Sequence, residues 1–253
     1  MPVPISICIV TNRIDKLLLE IVQLCLENGH EVLVGIEKSE WGKTPKGPAA
    51  RWVPLDWQGY GATKNRLAEM AANDWILSLD GDEMPDAPML ASLKNASELD
   101  KETVYGFGRL SYLEGKAIRH GAWGNDKVWR LYHRKCSRWD LEKVHEQIMA
   151  KGRQLLPGVL LHRTADTLKD YRLKTDRYAT LSAQKYFAND KKAPAWKPVL
   201  SGTFAWFKSY VLQAGWLDGK GGWQLALNEA RYSYLKYKKL RALYASGCAA
   251  SNS

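Results

Sequence analysis

The 253-residue sequence contains only four cysteines, Cys8, Cys25, Cys136 and Cys248, and none stands in CxxC or CxxH spacing. Neither a disulfide framework nor a zinc ribbon is suggested, and the thiols read as core or incidental residues. No stretch approaches the roughly 18 to 20 uninterrupted apolar residues that cross a bilayer, so a spanning helix is not expected. The apolar opening from Pro4 to Val10 has no basic residue before it and no small-residue cleavage site after it. It does not read as a signal peptide, and the cytoplasm is the expected compartment. Internal repeats and low-complexity tracts are also missing, which excludes solenoids and arrays. Carboxylates are scarce beside cations: 27 Asp plus Glu face 37 Lys plus Arg, a formal charge of +10. Such an excess favours anionic partners, whether nucleotide phosphates, an acidic membrane surface or nucleic acid.

What remains suffices for a core. With 45% hydrophobic and 25% charged residues, the chain fits one moderately large α/β domain, or a core domain with a helical extension. Segment Ile5 to Val10 is a continuous Ile/Val-rich run, as expected of a strand buried on both faces of a parallel sheet. It ends in Thr11-Asn12-Arg13. Asp15 can cap a helix whose apolar positions Leu18, Ile21, Val22, Cys25 and Leu26 recur at helical spacing, and Asn28-Gly29 supplies a stop. Glu31 to Ile36 and Arg51 to Leu55 read as further strands. A helix from about Ala62 to Ala72 leads into the strand Trp75 to Leu79. Alternating strands and helices predict right-handed βαβ units and an open, mostly parallel sheet, with ligands at the carboxyl ends of the strands. Beyond residue 100, Val104 to Leu113 and Lys127 to His133 read as strands. From about Thr167 the chain reads as helical, which divides it into residues 1–165 and a helical extension, 166–253.

The strand ending at Leu79 runs straight into Asp80-Gly81-Asp82-Glu83. Side chains two apart on an extended segment point the same way, so Asp80 and Asp82 can face one ligand, with Gly81 permitting close backbone approach. Clustered carboxylates repel unless a cation sits among them. Hard oxygen ligands suit Mg²⁺ or Mn²⁺, whose shell phosphate oxygens commonly complete. The competing reading is a solvated turn followed by a helix start between Pro85 and Pro88.

Several blocks extend the pattern: ISICIVTNR at the start, Asp56-Trp57-Gln58-Gly59-Tyr60-Gly61 with Lys64-Asn65-Arg66, Asp74 to Glu83, His120 to Trp123 through Asp126, Val128 to Leu131, Val144-His145-Glu146, Leu161-His162, and Gly215 to Gly222. In this order they resemble the GT-A-fold family 2 glycosyltransferases, within them the bacterial lipopolysaccharide-core glucosyltransferase branch. The resemblance implies an α/β, Rossmann-like GT-A fold with a DXD-type motif. It also implies inverting, metal-dependent transfer of a hexose such as glucose from a UDP-sugar to a glycan or lipid-linked acceptor. On it, Asp80 contacts the ribose or diphosphate, Asp82 ligates the metal, and Thr11, Asn12 and Arg13 line the nucleotide pocket with Lys64 and Asn65. A solvated helix face is the other reading of Lys64 and Arg66. Where many relatives place an Asp to read the uracil edge, this chain has Glu37.

Inversion requires a carboxylate base opposite the leaving diphosphate. Glu146 and Asp126 are the candidates. Glu146 leads slightly, although it could simply pair with Arg130 or Lys143, and Asp126 could be a turn residue. His162, at the end of an apolar run, is either a further metal ligand or a hydrogen-bonded structural residue, and His145 could ligate or orient Glu146. The C-terminal helix sets Trp223, Leu227, Tyr234 and Leu235 beside Arg231, Lys236, Lys238, Lys239 and Arg241. That mixture suits an anionic membrane surface, such as the cytoplasmic face of an inner membrane, or a helix packed on the core with a solvated basic face. Two other functions fit the composition: the same chemistry on hydroxylated bases of modified DNA, and a non-catalytic nucleotide- or polyanion-binding module.

Overall fold

The Ile/Val run forms β1 (Ile5–Thr11), buried along nearly its whole length. The computed structural model describes residues 3–45, 50–94, 99–141, 146–165 and 167–250, with side chains to residue 246. The Asp15 side chain accepts the Leu18 N–H and caps α1 (Lys16–Glu27), whose Leu18, Ile21, Val22 and Cys25 turn into the core. Next come β2 (Glu31–Glu37), β3 (Arg51–Leu55), α2 (Tyr60–Glu69) and β4 (Trp75–Asp80). These four strands lie parallel in the order β3-β2-β1-β4, and the parallel half of the sheet follows the alternation of strand and helix in the sequence. Burial pushes the Cys8 and Cys25 thiols up to about 12, which leaves them protonated and inert.

The sheet then continues through β8 (Asp126–His133), antiparallel to β4, β6 (Thr103–Leu113), antiparallel to β8, β11 (Gly152–Ala165), and β5 (Glu83–Pro85), antiparallel to β11, making nine strands with β7 (Lys116–Ile118), which pairs with β6. The helix start expected between Pro85 and Pro88 is realised, after a turn at Gly81-Asp82 and a short strand that the sequence does not predict. Residues Glu83–Pro85 form β5, and Asp86 caps the short α3 (Ala87–Leu93) by accepting the Met89 N–H. A separate hairpin joins β9 (Arg138–Trp139) to β10 (Ile148–Met149). The α/β class, the open sheet with flanking helices and the long C-terminal helix are those the sequence predicts.

Helix α2 approaches the hairpin closely because position 61 has no side chain. A Cβ on Gly61 would lie 1.9 Å from the Asp140 carbonyl oxygen. The reciprocal amide pair of Asn65 with the Trp139 backbone, at 2.8 and 3.0 Å, then fixes the contact. Gly61→Ala should therefore destabilise the protein by about 1–3 kcal/mol, the usual cost of overpacking, in a urea unfolding titration. A change under about 0.5 kcal/mol would show that α2 can shift freely.

The chain divides into two compact units, one of Met1–Arg109 with Asp126–His162 and the other of Leu110–Asn125 with Arg163–Ser253. The second carries β7 and three helices, α4 (Leu168–Ala188), α5 (Lys197–Phe207) and α6 (Gly219–Ala250). Buried Ala179 and Ala183 allow α4 to lie against α6, where Asn228 donates to Thr175 and Tyr171 donates to Glu229. Among the described residues, no helix is long and apolar enough to cross a membrane.

Candidate active site

The carboxyl ends of β1 and β4 lie side by side, with Val10 paired to Asp80, and the Gly81 N–H donates to the Val10 carbonyl at 3.2 Å. A Cβ on Gly81 would lie 2.6 Å from Thr11 Oγ1. The close approach that glycine permits here is thus to the Thr11 side chain. This contact sets Thr11, Asn12 and Arg13 beside the acidic motif. Thr11 donates to the Arg13 carbonyl at 2.9 Å, and the exposed Arg13 pairs with Asp15.

Three carboxylates in four residues are tolerated because two of them meet buried cations. Glu83 is fully buried, and its carboxylate accepts from Arg130 Nε at 2.9 Å and Nη2 at 2.6 Å, and from the Asp80 N–H at 3.2 Å. Arg109 stands 3.7 Å from the same carboxylate. Asp80 faces Lys64 Nζ at 2.9 Å and Arg130 Nη2 at 3.0 Å. Lys64 is itself only 3% exposed, and its ammonium lies 4.4 Å from the centre of the Trp139 ring. Arg66, two positions on, is exposed and pairs with Glu69, so the helix-face reading holds for Arg66 and not for Lys64.

Burial works against ionisation of Asp80, but Lys64 and then Arg130 outweigh it and hold its carboxyl well below the usual carboxylate range. Burial likewise opposes the charge on Arg130, and Glu83 and Asp80 more than restore it. A carboxylate whose pKa is lower in the folded protein contributes stability above its unfolded value, and that stability is lost as pH falls through the folded value. The stability difference between wild type and Asp80→Asn should accordingly be full at neutral pH and shrink below about pH 4, near the unfolded Asp value. A difference that does not change between neutral and acid pH would show that the ion pairs contribute nothing.

Asp82 points elsewhere. The antiparallel register sets His162 opposite Glu83, which brings His162 Nε2 to 3.6 Å from Asp82 Oδ2. Two ligands of one octahedral ion, each about 2.1 Å from it, lie about 3 Å apart or somewhat more. The Asp82 and His162 atoms fit such an ion with a small adjustment. Among the described residues, no group of three or more His, Cys, Asp or Glu is arranged to hold a metal ion, so further ligands would be water or phosphate oxygens. The cations of the cluster, Lys64, Arg109 and Arg130, face Asp80, Glu83, Asp126 and Glu146, while Asp82 faces His162.

The two candidate bases differ in engagement. Asp126 pairs across the strands with Arg109, its carboxylate 2.8 Å from Nε and 2.5 Å from Nη2. Glu146 lies 4.0 Å from Lys64 Nζ with a side chain 17% exposed, and so borders the same cluster without being locked to a cation. Glu37 is exposed at the end of β2. The amide of Asn65 is spent on Trp139, so its visible work is to position α2. His145 and Lys143 lie outside the described residues.

Arg109, Trp139 and the central role of Arg130 were not singled out from sequence. The available signal was an arginine inside Val128-Trp129-Arg130-Leu131-Tyr132, an otherwise largely apolar strand in which a cation must find a buried acid.

No family model matches the chain. Over 194 residues it is 26% identical to the lipopolysaccharide core biosynthesis glycosyltransferase LpsC of Rhizobium meliloti strain 1021, an alignment covering 75% of this chain and 72% of that protein. Among solved structures, 96% of the chain overlays 92% of S. aureus TarS 1-349 in complex with UDP-GlcNAc, at 11% identity and a TM-score of 0.42. A nucleotidyl transferase from Methanothermobacter, Mth528, matches 44% of this chain over 66% of its own, at 20% identity and a TM-score of 0.32.

Proposed function

We propose that the protein is an inverting, metal-dependent glycosyltransferase of the GT-A, family 2 type, moving a hexose such as glucose from a UDP-sugar to a glycan or lipid-linked acceptor of the lipopolysaccharide-core kind. Its setting would be the cytoplasmic face of the inner membrane. The observation that carries the reading is the acidic pole at the end of β4, where Asp82 and His162 face one another while Asp80 and Glu83 are neutralised by Lys64 and Arg130. The sequence likeness to LpsC, a lipopolysaccharide core glycosyltransferase, supports it.

Asp82 and His162 would hold Mn²⁺ or Mg²⁺. Bound there, the ion would offset the negative charge that develops on the departing diphosphate. Thr11, Asn12, Arg13 and Glu37, along the ends of β1 and β2, would meet the nucleoside. Lys64 would hold Asp80 ionised and in place beside the ribose or diphosphate. Glu146 would take the proton of the acceptor hydroxyl. It is preferred to Asp126 because a base must be able to leave its resting partner, and the Arg109 pair holds Asp126. The helical unit would serve the acceptor side.

The test is a donor screen with Mn²⁺, reading thermal stabilisation and then UDP release with and without a lipopolysaccharide-core acceptor. Stabilisation by UDP-glucose with acceptor-dependent UDP release is expected. Stabilisation without release under any acceptor would make the protein a binding module instead. Glu146→Gln should lower kcat by about 10²–10⁴-fold with donor stabilisation unchanged; full turnover in that variant would pass the role to Asp126.

A further inference from the structure

Helix α5 turns Gly202 and Trp206 toward α6 and leaves most of its other large apolar residues exposed. Gly202 and Pro198 are buried, and a Cβ on Gly202 would stand 3.1 Å from the Ala230 carbonyl oxygen and 3.3 Å from the Tyr234 Cβ of α6. Trp196, Val199, Leu200, Phe204, Phe207 and Val211 recur at spacings of three and four, each between 43% and 62% exposed. Leu212 and Trp216, just beyond the helix, are also exposed. A helix that merely covers a core carries its apolar stripe inward. This one carries it outward, and a contiguous patch of that kind marks a surface that something else covers.

Charge identifies the cover. Between residues 191 and 220 the chain holds five lysines, Lys191, Lys192, Lys197, Lys208 and Lys220, and one carboxylate, Asp218. That carboxylate is turned inward. Its side chain is 8% exposed, accepts the Arg119 and His120 backbone N–H groups at 2.9 and 2.7 Å, and faces His120 Nδ1 at 3.0 Å. Lys208 and Lys220 are exposed. An apolar row rich in Trp and Phe, in a stretch whose five lysines outnumber the one exposed acid beside them, Asp190, has the composition of a helix lying in a membrane interface. Protein–protein interfaces, by contrast, are depleted in lysine. The C-terminal helix, where the sequence sets basic residues beside aromatics, is the weaker candidate. Arg231 pairs with Asp176, Lys239 donates to the Asp176 carbonyl, and Arg241 donates to the Ala195 carbonyl.

We infer that the outward face of α5, continued through Val211 and Leu212, is a docking surface for an anionic lipid bilayer, with the apolar row in the interfacial layer and the lysines among the headgroup phosphates. This inference stands on the exposure and charge of the helical unit and does not depend on the sugar-transfer reading. The test is co-sedimentation of the full chain with vesicles of phosphatidylcholine alone and of phosphatidylcholine with phosphatidylglycerol. Binding to the anionic vesicles should exceed binding to the neutral ones and weaken with added salt. Leu200→Glu with Phe204→Glu and Phe207→Glu should reduce it by about tenfold or more. The single change Phe204→Ser, at an exposed position, should reduce it in a chain whose circular dichroism and melting curve match wild type. Leu173→Glu, an exposed apolar position on α4, should leave it unchanged. Equal binding to both vesicle types or binding to neither would overturn the inference. So would light scattering that finds a wild-type dimer split by the α5 changes without any effect on vesicles, since the face would then meet a second copy of the chain.

Discussion

Replacing Asp82 with alanine is expected to lower metal-dependent UDP release on the order of a thousandfold while leaving the unfolding midpoint nearly unchanged. The two halves of that expectation have separate causes. Asp82 is 28% exposed and its recorded ion-pair partner is His162 at 3.6 Å, so its removal leaves no buried cation unpaired and should cost about 0.5 kcal/mol or less in stability. The catalytic loss follows from the proposed metal role, because a cation that offsets leaving-group charge contributes several kcal/mol to the barrier. His162→Ala should act in the same direction but more weakly, since a carboxylate supplies charge as well as a lone pair. Raising Mn²⁺ should recover part of the His162→Ala loss. Wild-type turnover in Asp82→Ala would sink the mechanism. A large fall in melting temperature would instead assign Asp82 to the fold.

The opposite split is expected one residue away. Glu83→Ala should destabilise the protein by about 3–5 kcal/mol, because it strands the Arg130 guanidinium in a buried site without its two-point partner. The Asp80 N–H would lose its acceptor as well. Activity should fall with stability, since Arg130 also holds Asp80. A double-mutant cycle separates the pair from the stranded charge: Glu83→Met with Arg130→Met removes both ions, and should be less destabilised than Glu83→Ala alone. If Glu83→Ala costs under about 1 kcal/mol, the buried pair has no structural role and Glu83 belongs with Asp82 as a ligand. Urea unfolding of wild type, Glu83→Met, Arg130→Met and the double variant, with Glu83→Ala beside them, at one pH decides this. The adjacent acids thus form a sharp test, because both belong to one acidic motif and their surroundings differ.

Much of the parallel half of the sheet could be read directly. The run Ile5 to Val10 is apolar on both faces, so it must be central. Asp15, Asn28 and Gly29 are cap residues that act through their immediate neighbours, which is why α1 was legible to within a residue or two. The strands β5, β9, β10 and β11 were harder. β5 and the two hairpin strands are too short to show a period, and β11 carries Arg153, Gln154 and Pro157 among its apolar residues. Its identity comes from pairing, as His162 lying against Glu83 shows. Helix α5 shows the reverse failure. Its apolar period is clear, but only its packing through Gly202 reveals that the stripe points away from the protein.

In the candidate site, the sequence by itself determined where the acids gather: a buried strand running into three carboxylates must place them at the sheet's carboxyl edge, because strand direction is a local property. Only the tertiary structure decided how the three divide. Lys64, Arg109, Arg130 and His162 come from α2, β6, β8 and β11, and each carboxylate's charge state depends on which of them arrives. Electrostatic partnership acts through space, so it is fixed by packing across distant segments and not by position along the chain.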